Sequence, residues 1–126
     1  MPVRTAAYVD AYHADNRVTN HGHTEFIILL NRALIIWYSK RQNIVEASTV
    51  SSDFIAAKAC VEHITALRYK LLILGITVVE STKIHFDNEI VVNNFSILSS
   101  NMNKKHIYIA YYLLKWHIAA GIIKVS

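Results

Sequence analysis

The chain has 126 residues, a formal charge of +4 at pH 7, 53% hydrophobic residues and one cysteine. This length predicts one domain with an ordinary buried core, and a single cysteine excludes an internal disulfide. The apolar runs end well short of the ~18 residues that a membrane span requires, which predicts a soluble protein. Cys60 lies in an apolar stretch, which indicates a small buried side chain and an intracellular protein.

The first predicted strand runs from Thr5 to Asp10. Tyr8 and Val9 are strand formers, and the Asp15-Asn16 pair is typical of a turn, so Asp10 is expected at the strand end, at the edge of a sheet. A solvated acid is the alternative interpretation of Asp10. The polar residues 16–25 predict a loop, in which two histidines without neighbouring ligands are expected to be solvated.

Two apolar runs, 26–30 and 33–38, are separated by Asn31-Arg32, which predicts a hairpin. Lys40 and Arg41 are expected in a short basic loop that follows it. The spacing of Trp37, Tyr38, Tyr111 and Trp116 favours packing in the core over stacking on bases.

From Ser48 or Thr49 onward, apolar residues recur every three or four positions as far as Leu74, and Gly75 is placed to end a long helix. Asp53 lies in its opening turns, where an acid also suits the helix dipole. A fourth strand, 83–86, leads directly into Asp87, which is expected near the start of a short helix at 89–95.

Residues 104–120 predict another helix, in which Leu114 belongs to the apolar face, and Gly121 ends it before a last strand at 122–125. The strands and helices therefore predict an α/β domain, in which helices pack on the faces of a central sheet.

Three acids share a comparable position in this order: Asp10 and Asp87 end strands, and Asp53 opens a helix. They converge if the first and fourth strands are neighbours and the helix crosses them. Three carboxylates together repel one another, so such a cluster favours bound Mg²⁺ or Mn²⁺. Two such ions can hydrolyse a phosphodiester. If the acids do not converge, they are solvated groups or helix caps.

Several segments resemble, in order and with matching spacing, the ribonuclease H region that ends copia-type retrotransposon polyproteins. The specific segments are YVDAYHADN, IIWYSKRQNIVEAST, SSDFIAA, CVEHITALRYKLLILGI, FDNEIVV and NKKHIYIAYY. The resemblance implies an RNase H-like fold, with a five-stranded mixed sheet of three antiparallel strands and then parallel additions, and with helices on both faces. It implies one domain over residues 1–126, short of the family's closing segment and without the upstream reverse transcriptase.

The resemblance also implies cleavage of the RNA strand of RNA–DNA hybrids, with the catalytic and metal-binding acids at Asp10, Asp53 and Asp87. Phosphates of the hybrid would contact basic residues that are otherwise solvated charges. These residues are Lys40, Arg41, Lys104 and Lys105. The expected protein is a monomer, joined to reverse transcriptase in the parent element.

The chain departs from the family at four positions. Glu is usual at Asp53, Gly at Glu25, His at Tyr112, and many members have an acid at Tyr108. The shorter Asp53 withdraws its carboxylate by over ~1 Å, a displacement that can cost on the order of 100-fold in rate. Three hypotheses follow: an active ribonuclease H, an inactive remnant of the same fold that at most binds nucleic acid, or an unrelated interaction domain.

Overall fold

The computed structural model describes residues 2–12, 23–41, 49–86 and 105–125. These residues form five strands and two helices. In chain order they are β1 (Thr5–Tyr12), β2 (His23–Leu30), β3 (Ala33–Arg41), α1 (Thr49–Ile73), β4 (Thr82–Phe86), α2 (Lys105–Ala119) and β5 (Ile123–Val125). The predicted short helix at 89–95 lies outside the described residues. Among the described residues, no helix combines the length and apolarity needed to cross a membrane.

The strands form one mixed sheet in the order β3-β2-β1-β4-β5. The β1–β2 and β2–β3 pairs are antiparallel, and the β1–β4 and β4–β5 pairs are parallel. The predicted α/β class and five-stranded mixed sheet are therefore confirmed: three antiparallel strands are followed by two parallel additions. Both described helices contribute to the same core on one face of the sheet, so the predicted helix on the other face is not found among the described residues.

The hairpin between β2 and β3 turns at Asn31 and Arg32, with φ angles of 49° and 72°. A two-residue turn of this kind requires a positive φ at both positions, which Asn tolerates better than Arg. The Arg4 backbone N–H donates to Asn31 Oδ1 at 2.9 Å, and the Asn31 N–H donates to the Arg4 carbonyl at 2.9 Å. The predicted hairpin is confirmed, and its turn is bound to the start of β1.

The strands are longer than the sequence predicted. β1 continues past Asp10 to Tyr12, because Tyr12 pairs with His23. His23 pairs in turn with Arg41, so Lys40 and Arg41 belong to β3 and not to a loop. Main-chain hydrogen bonds to the neighbouring strand hold these polar residues in strands. Their side chains project from one face of the sheet and do not interfere with this backbone pairing.

Both helices end where they were predicted to end. Gly75 and Gly121 each have a φ of 76°, the left-handed conformation that favours glycine. The Ile76 N–H donates to the Leu71 carbonyl at 2.9 Å, and the Gly75 N–H donates to the Leu72 carbonyl at 3.0 Å. The same pair of bonds recurs after α2, so both helices close with a Schellman motif.

The core lies between α1 and one face of the sheet, with α2 completing it. The sheet contributes alternate residues of four strands, and the helices contribute mostly small side chains. The buried cluster comprises Ala7, Val9, Phe26, Ile28, Ile84 and Ile123 from the strands, and Ala56, Ala57, Cys60, Val61, Ile64 and Leu114 from the helices. Small side chains let α1 approach the sheet closely.

The two tryptophans and Leu74 do not pack as predicted. Trp37 is 78% exposed, Trp116 is 61% exposed and Leu74 is 71% exposed, whereas Tyr38 stacks on the core residue Phe26 with ring centroids 4.7 Å apart. Trp37 is adjacent to Tyr38 in β3, and adjacent strand residues point to opposite faces. One tyrosine of this strand therefore reaches the core and its neighbouring tryptophan does not.

Candidate active site at one end of the sheet

Asp10 lies in the central strand β1, two residues before its end, with a half-buried side chain. Its partner in the neighbouring strand β2 is Glu25. The hydroxyl of Ser39 in β3 donates a hydrogen bond to Glu25 Oε1 at 3.2 Å. Directly opposed carboxylates repel each other, so this pair favours a nearby cation. Sequence reasoning missed this pairing because it assigned Glu25 to a loop. Residues 24 and 25 are both polar and precede a continuous apolar run, so the local sequence gave no signal that the strand begins before Phe26.

The strand beside Asp10 on the other side is β4. It runs parallel to β1, and its last residue, Phe86, pairs with Val9. The adjacency of the first and fourth strands, on which the predicted acidic cluster depends, is thus observed. Asp87 follows Phe86 directly in the sequence but lies outside the described residues.

The direction of α1 follows from a polar contact in the core. The Thr5 and Thr82 hydroxyl oxygens are 2.5 Å apart, and Arg68 Nη1 donates to Thr82 Oγ1 at 3.0 Å and to the Glu80 carbonyl at 3.0 Å. Burial lowers the pKa of Arg68, which nevertheless remains charged at neutral pH. These bonds hold the second half of α1 at the starts of β1 and β4.

Since α1 is held there by its second half, its first turns lie toward the opposite end of the sheet. Asp53 is the fifth residue of α1. It precedes Arg68 by about 22 Å along the helix axis, while Asp10 lies about 17 Å along β1 from Thr5. The backbone of Asp53 is thus directed to the end of the sheet where Asp10 lies. The side chain of Asp53 is outside the described residues.

The proposed donors suit a hard cation by their chemistry. Carboxylate oxygens are the ligands that Mg²⁺ and Mn²⁺ prefer, and Asp10 faces a second carboxylate at Glu25. Within the described ranges, no three side chains of His, Cys, Asp or Glu are grouped to hold a metal. Cys60 offers no alternative reactive group, because burial raises the pKa of its thiol to about 12.

Of the four predicted phosphate-binding residues, Lys40 alone has a described side chain. It is exposed near the end of the edge strand β3, opposite Thr24. Arg41 and Lys105 are described only in their backbone, at the last position of β3 and the first of α2, and Lys104 lies outside the described residues. Their role in binding stays a prediction.

The architecture is shared with solved ribonucleases H1. LC11-RNase H1, isolated from compost and solved in complex with an RNA/DNA hybrid, matches with a TM-score of 0.69 over 97% of this chain and 83% of its own, at 11% identity. RNase H1 from the halophilic archaeon Halobacterium salinarum matches with a TM-score of 0.66 over 98% and 85%, also at 11% identity. The chain has an RNase H-like fold.

A third match has a lower TM-score. The N-terminal RNase H domain of rv2228c from Mycobacterium tuberculosis, solved as a fusion with maltose-binding protein, matches with a TM-score of 0.56 and 11% identity. The match covers 98% of this chain and 82% of the chain from Mycobacterium tuberculosis. No family model matches the sequence. At this level of identity the RNase H-like architecture is shared, while the chemistry has to be argued from this chain's own residues.

Proposed function

We propose that this protein is a ribonuclease H domain that hydrolyses the RNA strand of RNA–DNA hybrids. Asp10, Asp53 and Asp87 would hold two Mg²⁺ or Mn²⁺ ions. Lys40, Arg41, Lys104 and Lys105 would contact phosphates of the hybrid. The copia-like segments favour an origin in a retrotransposon polyprotein, where the domain would act as a monomeric unit joined to reverse transcriptase inside the cell.

The observation that carries the proposal is the parallel adjacency of β1 and β4. Val9 of β1 and Phe86, the last residue of β4, are paired; in the sequence Asp10 directly follows Val9 and Asp87 directly follows Phe86. Two acids that each follow one member of this pair in the sequence would suit a shared cation, and the first turns of α1, which include Asp53, lie toward the same end of the sheet. The shared fold with LC11-RNase H1, which binds an RNA/DNA hybrid, supports the choice of substrate.

Bound divalent ions would supply an activated water and charge stabilisation for the leaving oxygen. The carboxylates of this chain would fix the positions of those ions, and Glu25 would add negative charge beside Asp10. Ser39 orients Glu25 through its hydroxyl. The proposed roles of the protein are therefore binding and placement, the part of phosphoryl-transfer chemistry that depends on precise geometry.

The second candidate is an inactive remnant of the same fold. Three departures favour it: Asp53 is shorter than the usual glutamate, Glu25 replaces a glycine, and Tyr112 replaces a histidine. Tyr112 is 59% exposed on α2, where it offers a phenol in place of an imidazole. Such a remnant would keep nucleic-acid binding at most.

End-labelled RNA annealed to DNA tests the proposal, with Mg²⁺ present and four proteins compared. The wild type is expected to shorten the RNA. Asp10→Asn removes a metal-binding carboxylate and should slow cleavage by at least ~100-fold, since metal stabilisation contributes several kcal/mol. Asp53→Glu restores the missing methylene and should raise the rate by up to ~100-fold. Glu62→Gln, an exposed acid on α1 that pairs with Lys58, is the matched control and should match the wild type.

The outcomes separate the two candidates. Equal cleavage by wild type and Asp10→Asn would overturn the proposed site, because the activity would then belong to other groups or to a contaminant. Absence of cleavage by both wild type and Asp53→Glu, with hybrid binding retained, would establish the remnant. Faster cleavage by Asp53→Glu, abolished when Asp10→Asn is added, would support the proposed acid set.

A further inference from the structure

The face of the sheet opposite the core carries side chains that the proposed cleavage does not use. Alternate residues of the strands form rows across this face, defined by the strand register. We call this face the open face. One row holds Ser39, Glu25 and Asp10 at the candidate active site, and two further rows carry no proposed catalytic residue. The first of these two rows is Trp37, Ile27, Tyr8 and His85, and the second is Leu34, Leu29, Ala6, Lys83 and Lys124.

The first row presents flat aromatic surfaces to solvent. Trp37 is 78% exposed and Tyr8 is 47% exposed. The rings of Tyr8 and His85 stack on each other, with centroids 4.6 Å apart and planes inclined by 14°. The row spans four strands, or about 14 Å at the usual strand spacing. Rings held in place by stacking and by the sheet are ready-made platforms for planar ligands.

Two lysines stand at one end of the second row, and two arginines lie at its rim. Lys83 and Lys124 are exposed on neighbouring strands. Arg4 and Arg32 line a shallow cavity of about 360 Å³ beside Tyr8 and Leu29. Arg32 is fixed by the hairpin turn, whose Asn31 is bound to the backbone of Arg4. The rim also includes Glu80, 3.9 Å from Arg4, and both of these side chains are largely exposed.

Planar stacking surfaces beside a line of cations are the combination that binds single-stranded nucleic acid. The bases of a single strand have free π-faces, whereas a duplex keeps its bases stacked on one another in its interior. The phosphates of the single strand would follow the second row and its rim. The carboxylates of Asp10 and Glu25 lie beyond the aromatic row, on the side away from the lysines. The charge distribution thus also favours one path for the backbone, along the second row.

We propose that the open face binds single-stranded nucleic acid, with bases stacked on Trp37 and on the Tyr8–His85 pair, and with phosphates on Arg32, Lys83 and Lys124. This binding does not depend on the metal-binding acids or on cleavage. It would give the domain a second contact for an unpaired strand, next to the hybrid-cleaving end of the sheet.

Fluorescence anisotropy with a dye-labelled oligothymidine of 12 nucleotides is the test, since this DNA offers no RNA strand to cleave. Trp37→Ala should weaken binding by about 5- to 150-fold, the range for loss of one stacked base. Trp116→Ala removes the other largely exposed tryptophan, which lies on α2, and is the matched control, expected to bind like the wild type. Lys83→Ala combined with Arg32→Ala should flatten the dependence of affinity on salt by about 0.7 for each lost phosphate contact.

A direct optical readout accompanies the titration. In Trp116→Phe, Trp37 is the single remaining tryptophan, and stacking of a base on it should quench its fluorescence as the oligonucleotide is added. Equal affinities of Trp37→Ala and Trp116→Ala would overturn the proposal. So would a wild-type dimer that Trp37→Ala converts to a monomer without changing oligonucleotide binding, because the open face would then bind a second copy of the chain. Failure of hybrid cleavage would leave this result unaffected.

Discussion

The two faces of the sheet are built from alternate residues of the same strands, yet they differ sharply in burial. Val9 and Ile28 are buried against α1, whereas their strand neighbours Tyr8 and Ile27 lie on the open face, together with Trp37. All of these residues are good strand formers, so β propensity does not distinguish the faces. The difference arises from what packs on each face: a helix with small residues covers one, while rings and cations line the other.

The largest expected difference between the faces is in stability. Phe26→Ala removes a buried ring that packs against both Tyr38 and His63, and should lower the free energy of unfolding by about 3–5 kcal/mol. A loss of that size is comparable with the whole stability of a marginal domain, so wild type and variants are compared in the same stabilising osmolyte. Urea denaturation followed by circular dichroism gives the value.

Trp37→Ala is the matched substitution on the open face. It removes a larger ring, but one already 78% exposed, and should change the free energy of unfolding by no more than ~0.5 kcal/mol. Similar losses for Phe26→Ala and Trp37→Ala would break the comparison, since they would mean that the open face is covered in solution. A loss at Trp37 that grows with protein concentration would identify the cover as another copy of the chain.

A smaller effect is expected from the buried polar contact on the covered face. Thr82 is fully buried, and its hydroxyl contacts Thr5 and accepts a hydrogen bond from Arg68. Thr82→Val keeps the shape but leaves the Thr5 hydroxyl and one Arg68 N–H without these bonds, which should cost about 1–3 kcal/mol.

The double variant Thr5→Val/Thr82→Val sharpens this expectation. It should recover part of the loss, because no threonine hydroxyl then remains unsatisfied and Arg68 keeps its bond to the Glu80 carbonyl. Thr65→Val is the control: Thr65 is exposed on α1 and bonds only within its own helix, to the Val61 carbonyl, so its effect should stay within ~0.5 kcal/mol. Additive losses in the double variant would show that the two hydroxyls act independently.

The contrast between the faces also marks what the sequence could and could not predict. Local signals located the hairpin turn at Asn31-Arg32, the long helix and its end at Gly75, because turn and capping chemistry is encoded within a few residues. The resemblance to ribonucleases H supplied the mixed sheet of three antiparallel strands with parallel additions, which local patterns do not contain. The burial of Tyr38 and the exposure of Trp37 were not separable by spacing, because which face a helix covers is decided by tertiary packing.

The candidate site shows the same division. Asp10 was found from its place after an apolar run, but its partner Glu25 was missed, because pairing across strands depends on register and not on proximity in sequence. The adjacency of β1 and β4 was stated as a condition, and the topology meets it. The roles of Asp10, Asp53 and Asp87 stay predictions that the cleavage assay tests.

The subtlest test of the comparison is at Arg32, where the fold and the open face make opposite demands. The left-handed backbone of Arg32 costs a non-glycine residue about 1–2 kcal/mol, which glycine would avoid. Glycine's greater freedom in the unfolded chain offsets part of that gain. Arg32→Gly should therefore raise the free energy of unfolding by about 0.5–1 kcal/mol. It also removes one cation from the rim of the open face, so oligothymidine binding should weaken and its salt dependence should flatten.

Arg32→Lys is the control that separates the two effects, because lysine keeps both the charge and the backbone cost. It should match the wild type in stability and in the salt dependence of binding. A gain in stability for Arg32→Gly without any loss of binding would show that this guanidinium serves neither the turn nor the ligand. Opposite changes in the two measurements would indicate that an unfavourable turn residue is kept in place for its charge, since the residue that suits the hairpin best is not the one that suits an anionic strand.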